Sequence, residues 1–447
     1  MIKSSNRALR RWLLAAITCG LSMVVTDAFA QINGVTGNQF NLVADQMHLT
    51  TPDGDSILVW GYGLEGRPVQ YPGPTLIVNE GDQVKVTLRN RLSEDVSIVF
   101  PGQENVTSSG GTVDGGLIAA EAPPGGQTKV SYTFQATHPG TYAYHSGSHM
   151  DLQLEMGLFG AIIVRPAGHP DQAYQDSISK FDHEYLFILS EMDPKIHDQM
   201  DFGMAGKVDT TGYASVLWYI NGRNGPDTLY PDSVPWMPHQ PYGALARAHP
   251  GETVLSRFID MGRMDHPWHT HGNNFHIIAR DGRELSSNGT DIDLREEDYT
   301  LLVSPGTTYD TLWTWSGKDM NWDFFGHDCS GPTPPPLVSY QVHGTYGATT
   351  VTTDGVAKYE EDLNLHCKPF PVVNPDNLDV TFGGFYAGSP FLGGLATLPV
   401  GEGGLNVNGG MFFIWHSHRE RELVNNNIFP GGMLTMMVVE PPGVPIP

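Results

Sequence analysis

Cysteine, basic side chains and helical periodicity are all scarce in this 447-residue sequence. There are three cysteines, and 25 Lys and Arg stand against 49 Asp and Glu, which gives a formal net charge of −24. A surface this acidic repels nucleic acid and anionic lipid, so we expect neither as a partner. After residue 25 no apolar run is long enough to cross a bilayer, and we expect no membrane span.

The first 30 residues have the pattern of a secretory signal peptide. Four basic residues precede an apolar stretch from Trp12 to Val25, and the small-x-small sequence Ala28-Phe29-Ala30 follows it. We therefore expect a signal peptide over residues 1–30 and export to the periplasm or the extracellular space. Export by the Sec or by the twin-arginine route is left open.

Two cysteines, Cys329 and Cys367, lie beyond the predicted signal peptide. In an oxidising compartment the favoured interpretation is a disulfide between them. His327 and His366 stand close to them in sequence, so a small Cys/His metal site is the alternative.

Short runs such as VKVTLRN, GAIIVRP and FHIIAR, bounded by Gly, Pro or Asp, predict an all-β protein. An internal repeat divides the chain: in each copy a histidine-bearing strand is followed by a Gly-rich turn and a final apolar strand. The repeat predicts two tandem β-domains, at residues 31–170 and 178–442. The second is interrupted by an insertion over residues 318–410. The interface between two such domains is a common place for a ligand site.

Histidines occur in pairs at a spacing of two. His416 and His418 flank Ser417, and His269 and His271 flank a threonine. Because side chains alternate along a strand, each pair lies on one face, and Ser417 points to the other. Paired imidazoles on one face indicate a metal site.

Four segments resemble the signatures of the multicopper oxidases. They are YPGPTLIVNEGDQVKVTLRNRL (residues 71–92), GTYAYHS (140–146), DHPWHTHG (265–272) and WHSH (415–418). The resemblance covers both repeats but not the insertion, and it implies tandem cupredoxin-like Greek-key β-sandwich domains. It also implies copper. In this family, four histidine motifs hold a type 1 copper, which takes electrons from substrate, and a trinuclear cluster, which reduces oxygen.

The resemblance assigns roles to several histidines. His266 stands at a type 1 position, His269 at a type 2 position and His271 at a type 3 position, while the pair around Ser417 matches two type 3 ligands. His145 matches a ligand of the second motif. His149 comes two residues late, and a bulge at Gly147 would bring it to the same site. The predicted metal ligands are His145, His149, His269, His271, His416 and His418, with His266 as a secondary candidate.

Two departures from the family pattern limit the predicted copper content. Ser417 stands where the family has the type 1 cysteine, and Glu422 where it has a type 1 histidine. A neutral hydroxyl is a poor substitute for a thiolate, so we expect a degenerate type 1 position. When the two repeats are aligned, residues 99–102 (VFPG) match residues 269–272. The family has a histidine pair at the position of residues 99–102. We therefore predict one or two copper ions rather than a full complement.

The sequence is compatible with two functions, and it does not decide whether the protein is an enzyme. The first is an exported oxidoreductase with a histidine copper site at a domain or subunit interface, supplied by a small-molecule or protein electron donor. The alternative is a non-catalytic cupredoxin-like protein that binds copper or serves as a structural or interaction module. A homotrimer, in which His145 and His149 of one chain face the other four histidines of another, would complete the site across subunits.

Overall fold

The computed structural model describes residues 32–112, 117–316, 350–351, 357–358 and 410–446. The predicted signal peptide, both cysteines with their predicted disulfide, and most of the predicted insertion lie outside these residues. Strands dominate the described part, and the predicted all-β fold is confirmed. Helices and 3-10 turns are short: α1 (Met150–Gln153), α2 (Pro194–Asp201), Ser177–Ser179, Ala205–Lys207, Asp227–Leu229 and Glu420–Glu422. No described helix has the length and apolar character needed to cross a membrane.

The first repeat forms two sheets that enclose a common core. Its strands are β1 (Val35–Thr36), β2 (Gln39–Thr50), β3 (Ser56–Leu64), β4 (Leu76–Asn79), β5 (Gln83–Asn90), β6 (Glu104–Gly110), β7 (Lys129–Gln135), β8 (Gly140–His145) and β9 (Phe159–Arg165). One sheet has the order β1-β4-β9-β8 and the other β3-β2-β5-β7-β6. The parallel pairs β2–β5 and β4–β9 join strands that are not consecutive, as Greek-key connections require.

The second repeat has the same two-sheet construction with larger sheets. Its strands are β10 (His183–Met192), β11 (Leu217–Ile220), β12 (Ala246–Ala248), β13 (Thr253–Asp260), β14 (His266–Thr270), β15 (Phe275–Arg280), β16 (Arg283–Glu284), β17 (Glu296–Asp298), β18 (Thr300–Val303), β19 (Thr308–Thr314), β20 (Thr350–Val351), β21 (Ala357–Lys358), β22 (Met411–Ser417) and β23 (Leu434–Val439). One sheet has the order β11-β10-β13-β19-β15-β16, with β17 also paired to β15, and the other β12-β23-β22-β14-β18. Strands β20 and β21 pair with each other.

In both sandwiches, buried and exposed side chains alternate along the strands, so one face of each strand packs against the core. In β5, Val84, Val86 and Leu88 are buried, and the residues between them are exposed or partly exposed. In the second repeat, the buried rings of Trp268 on β14 and Trp415 on β22 lie 6.5 Å apart between centroids. Because both tryptophans face the core, the residues that alternate with them face away from it. That alternation decides where the histidines of β14 and β22 point.

A buried ionic cluster joins the two repeats. The Glu184 carboxylate on β10 accepts hydrogen bonds from Arg165 of β9, at 2.6 Å, and from Arg257 of β13, at 2.6 Å. Burial alone would raise the pKa of Glu184, but the two guanidinium groups hold it at about 2. The cluster is therefore charged at neutral pH and holds β9 against β10 and β13.

Candidate metal centre

Four imidazoles meet at the strand pair β14–β22. His269 and His416 are directly opposite one another in the antiparallel register, with ring centroids 5.6 Å apart. His271 follows β14, and its ring lies 4.9 Å from that of His269 and 5.3 Å from that of His416. His418 follows β22, with its ring 4.7 Å from that of His269. We refer to His269, His271, His416 and His418 as the histidine cluster.

The ring nitrogens of this cluster are arranged as a metal would require. Nε2 of His271 and Nε2 of His416 are 3.4 Å apart, and one ligand atom from each of His269, His271 and His416 lies within 4.8 Å of the others. Nδ1 of His416 donates to the carbonyl oxygen of Ser417, at 2.7 Å, which leaves its Nε2 unprotonated in the neutral ring. Nδ1 of His269 lies 2.7 Å from Oγ1 of Thr300. Hydrogen bonds at one nitrogen fix the tautomer and orient the other nitrogen for a metal.

The surroundings keep three of these imidazoles, those of His269, His271 and His416, neutral. Burial, followed by the neighbouring imidazoles His271, His416 and His418, lowers the pKa of His269 to about 4. Burial also lowers the pKa of His416 to about 4, with further contributions from His271 and His418, and it lowers that of His271. Neutral imidazole is the form that binds a transition metal. Within the described part of the chain the buried Nδ1 of His271 has no hydrogen-bond partner, and the polar contact of this ring is the one between its Nε2 and Nε2 of His416.

His418 forms the accessible side of the histidine cluster. Its side chain is 52% exposed, and its Nδ1 lies 3.6 Å from a carboxylate oxygen of Glu420. A molecule that approaches from solvent meets His418 before the more buried rings of His271 and His416.

His145 occupies the equivalent place in the first repeat but has different neighbours. It forms an antiparallel bridge with Val99, and its Nδ1 donates to the carbonyl oxygen of Ser146, at 2.8 Å. It borders a cavity of about 460 Å³ lined mainly by apolar side chains, including Phe100 and Ile118. Among the described residues, no ring contact joins His145 to the histidine cluster of the same chain. The structure thus separates this predicted ligand from the other four.

Within the described part of the chain, the ring of His149 contacts acidic residues rather than another histidine. Its backbone is left-handed, with φ of 40°, and it caps the short helix α1. The half-exposed ring lies 3.1 Å from Glu94 and 3.7 Å from Asp151. A left-handed turn at His149, rather than a bulge at Gly147, therefore sets the direction of this side chain.

Ser417 lies on the opposite face of β22, as the alternation predicts, and enters a buried polar network. Its hydroxyl donates to Oε2 of Glu422, at 2.5 Å, and the same oxygen lies 2.8 Å from Nδ1 of His266. Nε2 of His266 lies 3.0 Å from Oε2 of Glu191. Burial would lower the pKa of His266, but hydrogen bonds to Glu191 and Glu422 raise it to about 10. A serine, an imidazole and two carboxylates thus fill the position that the resemblance assigns to type 1 copper.

Three residues at these sites were missed by sequence reasoning. Thr300 orients His269 from the neighbouring strand β18, and nothing in its local sequence marks that role. Glu191 and Asp260 lie beside His266. The signal for these two is a carboxylate at the end of an apolar strand, ILSEM for Glu191 and SRFID for Asp260, where burial requires a partner.

Comparison with known proteins agrees with this construction. Two family models, both described as multicopper oxidase, match residues 64–169 and 219–325. Laccase 1 of Metarhizium robertsii (strain ARSEF 23 / ATCC MYA-3075) is 39% identical over 101 residues, which is 22% of this chain and 16% of the laccase. The L-ascorbate oxidase of Cucurbita pepo var. melopepo is 34% identical over 149 residues, or 32% of this chain and 24% of that enzyme. The matches thus span less than a quarter of either relative.

Solved structures share the fold over most of the chain. The blue copper oxidase from Nitrosomonas europaea superposes with a TM-score of 0.55 and 17% identity, over 89% of this chain and 85% of that one. The multicopper oxidase mgLAC gives a TM-score of 0.54 and 18% identity, over 92% and 87% of the two chains. At this level of identity the likeness establishes the cupredoxin-like fold alone.

Proposed function

Since the chain belongs to the multicopper oxidase family, we propose that it is an exported oxidoreductase whose copper is bound by His269, His271, His416 and His418. The observation that carries the proposal is the convergence of neutral imidazoles, with Nε2 of His271 and Nε2 of His416 only 3.4 Å apart. In the metal-free protein Nε2–H of His271 can donate to Nε2 of His416, and a copper ion would take the place of that proton. When bound, copper supplies one-electron redox chemistry.

The protein's own part in this site is to orient the ligands and to keep them neutral. The Ser417 carbonyl and the Thr300 hydroxyl fix the rings of His416 and His269. Burial disfavours protonation, so the lone pairs stay available at neutral pH. Four imidazoles from one chain would hold one or two copper ions.

Electrons reach this site without a thiolate relay in the proposed function. Ser417 carries a hydroxyl, and its partner Glu422 is an acid, so neither supplies the soft ligand that a blue-copper site needs. The half-exposed His418 gives a small-molecule or protein donor a direct approach to the histidine cluster.

A subunit interface is part of the proposal. His145 is half-buried and borders an apolar cavity, whose lining includes the exposed side chain of Ile118. Within the described part of its own chain, the ring of His145 has no metal-binding partner. A homotrimer would place His145 of one chain against the histidine cluster of another. The predicted signal peptide supports export.

The alternative function is copper binding without turnover. The observation that favours it is the contrast at His145, where Val99 and Phe100 stand in place of a second histidine pair. Copper retention with no oxidase activity toward any electron donor would support this alternative.

The test is the number of copper ions per chain. Protein from residue 31 onward is loaded with Cu(II), freed of excess metal and compared with a His269→Ala/His416→Ala variant. The matched control is His276→Ala, which removes a partly exposed imidazole on β15 outside the histidine cluster. We expect the double variant to lose its copper and the control to keep it. Copper that survives the double substitution would contradict the proposed site.

A further inference from the structure

A second group of metal-binding side chains lies on the core side of β14. Glu191 near the end of β10, Asp260 at the end of β13 and His266 at the start of β14 are all fully buried. Each offers one ligand atom, and these atoms all lie within 4.8 Å of one another. Two carboxylates and one imidazole at this spacing can share a single cation.

Asp260 has an oxygen that the described residues leave without a partner. Its Oδ1 accepts the backbone N–H of Gly262, at 2.8 Å, while the buried Oδ2 has no hydrogen-bond partner among those residues. An unpaired carboxylate oxygen away from water is strongly unfavourable. A cation shared with Glu191 and His266 would satisfy it.

Contacts with Arg263 and His266 hold the Glu191 carboxylate at the same site. Its Oε1 accepts the backbone N–H of Arg263, at 2.6 Å, and its Oε2 lies 3.0 Å from Nε2 of His266. A Cβ atom on Gly262 would overlap the Glu191 carboxylate, so glycine at this position is what allows the carboxylate to lie against the backbone.

His266 is oriented so that its Nε2 faces this group. Its Nδ1 lies 2.8 Å from Oε2 of Glu422, and that carboxylate also accepts from Ser417, at 2.5 Å, and from Arg419, at 3.2 Å. Without a metal the ring is protonated, and Nδ1–H donates to Glu422 while Nε2–H donates to Glu191. A bound cation would take the place of the proton on Nε2. A carboxylate on the far nitrogen is the usual support of a metal-binding histidine.

The surrounding charges leave room for a dication. Three buried carboxylates, those of Glu191, Asp260 and Glu422, face one imidazole and the guanidinium of Arg419. A divalent ion would replace the protons that this excess of acid otherwise holds.

A path toward the group is present. A cavity of about 330 Å³ borders Glu191, Gly262 and Arg263 and is also lined by Asp151, which is exposed. Its lining comes from both repeats, with Phe159 from the first and Met261 from the second.

We propose that Glu191, Asp260 and His266 bind a divalent ion that prefers oxygen and nitrogen ligands, such as Mn²⁺ or Zn²⁺, separately from the copper in the histidine cluster. The ligand set contains no sulfur, which disfavours Cu(I), and its two carboxylates suit Mn²⁺ and Zn²⁺. The site lies where the family resemblance places type 1 copper. In this protein a divalent ion would therefore occupy the position at which the family's copper receives electrons.

The experiment measures Mn²⁺ binding by metal-stripped protein from residue 31 onward. Free Mn²⁺ is followed by electron paramagnetic resonance, with Zn²⁺ as competitor, at an ionic strength that suppresses binding to the acidic surface. We expect one tight site per chain, which Asp260→Asn weakens by roughly tenfold or more. The isosteric amide keeps the side-chain volume and removes the charge.

Two comparisons make the result decisive. The His269→Ala/His416→Ala variant should bind Mn²⁺ as the unsubstituted protein does, while losing copper. Asp260→Asn should keep its copper, and that retention also shows that it is folded. If Asp260→Asn does not fold, Glu191→Gln takes its place in the same comparison. The absence of tight Mn²⁺ and Zn²⁺ binding by the unsubstituted protein overturns the proposal, as does unchanged binding by the folded variant or loss of binding by the histidine variant.

Discussion

The two repeats place the same strand pair in two different chemical settings. In the second repeat His269 pairs with His416, and in the first Val99 pairs with His145 in the same antiparallel register. His145 and His416 each donate Nδ1–H to the carbonyl of the serine that follows. The backbone around the metal-binding position is therefore common to both repeats, and the side chains opposite it decide whether a metal site forms.

The turns beyond these strands are also alike. Gly102 has φ of 80° and Gly272 has φ of 84°. A Cβ atom would meet the Tyr142 ring in the first case and the Phe413 ring in the second. Both aromatic residues lie three positions before the strand histidine. This part of the repeat serves packing, because it is retained where the opposing histidine pair is absent.

The serines show how the two repeats diverge. Ser146 donates to the amide oxygen of Gln153, at 2.6 Å, and Ser417 donates to the carboxylate of Glu422, at 2.5 Å. The first network continues through Gln153 to the carbonyl oxygen of Asp95 and through Ser148 to the carboxylate of Glu121. The second continues through His266 to two further acids. The difference is that the Ser417 network contains an imidazole between carboxylates, whereas the described network through the Ser146 hydroxyl contains no histidine side chain.

The largest expected effect comes from breaking the contact that holds the repeats together. Glu184→Gln leaves Arg165 and Arg257 buried without a charged partner, so we expect the free energy of unfolding at pH 7 to fall by about 3–5 kcal/mol. The pKa of Glu184 is held at about 2 in the folded protein, against an ordinary value of 4.5. The carboxylate therefore contributes stability above pH 4.5 that is lost as the pH falls toward 2.

Chemical denaturation across this pH range measures the effect. The difference between the unsubstituted protein and the Gln variant should shrink as the pH falls from 4.5 toward 2. A difference that does not change with pH would show that the substitution acts through packing rather than through the charge. Glu65→Gln is the matched control, because that carboxylate pairs with Lys129 in a partly exposed place.

The next largest effect is a difference in copper affinity between variants of His416 and His145, which occupy equivalent positions in the two repeats. His416→Ala removes a ligand from a group of four, so copper affinity should fall by roughly 100-fold or more, since losing a ligand costs at least as much as losing a group that orients one. His145→Ala removes a ring that would reach the histidine cluster only across the proposed subunit interface. The four ligands of one chain remain in this variant, so the loss of affinity should be smaller. Equilibrium competition with a chelator of known affinity gives both values. Equal losses would show that His145 contributes as much to copper binding as His416.

A smaller effect tests the shared turn. Gly272→Ala and Gly102→Ala each place a side chain at positive φ against an aromatic ring, so we expect each to lower the free energy of unfolding by about 1–3 kcal/mol. Copper retention should fall in the Gly272 variant alone, because that turn carries His271. Urea denaturation and copper analysis of the same samples measure both. Copper loss in the Gly102 variant would contradict the assignment of this turn to packing.

Much of this comparison could be predicted from the sequence, because it depends on patterns among residues that are close together along the chain. Strand alternation placed His416 and His418 on one face and Ser417 on the other, and the repeat aligned Val99 with His269. These patterns depend only on neighbours along the chain.

Glu191, Asp260 and Thr300 could not be placed in this way. They reach their sites through the pairing of β10 with β13 and of β14 with β18, which joins distant segments. The direction of His149 depends on a left-handed backbone at the start of α1, and no residue pattern of the predicted strand signals it.

The smallest effect concerns a residue outside every motif. Thr300 holds Nδ1 of His269 through its hydroxyl, at 2.7 Å. Thr300→Val keeps the β-branched shape and removes the hydrogen bond, so copper affinity should fall by roughly tenfold while the fold is retained. The first repeat has no counterpart to this contact at Val99. The control Thr308→Val removes a hydroxyl that donates to the backbone of Thr141 and should leave copper affinity unchanged. Unchanged affinity in Thr300→Val would mean that contacts other than this hydroxyl orient His269.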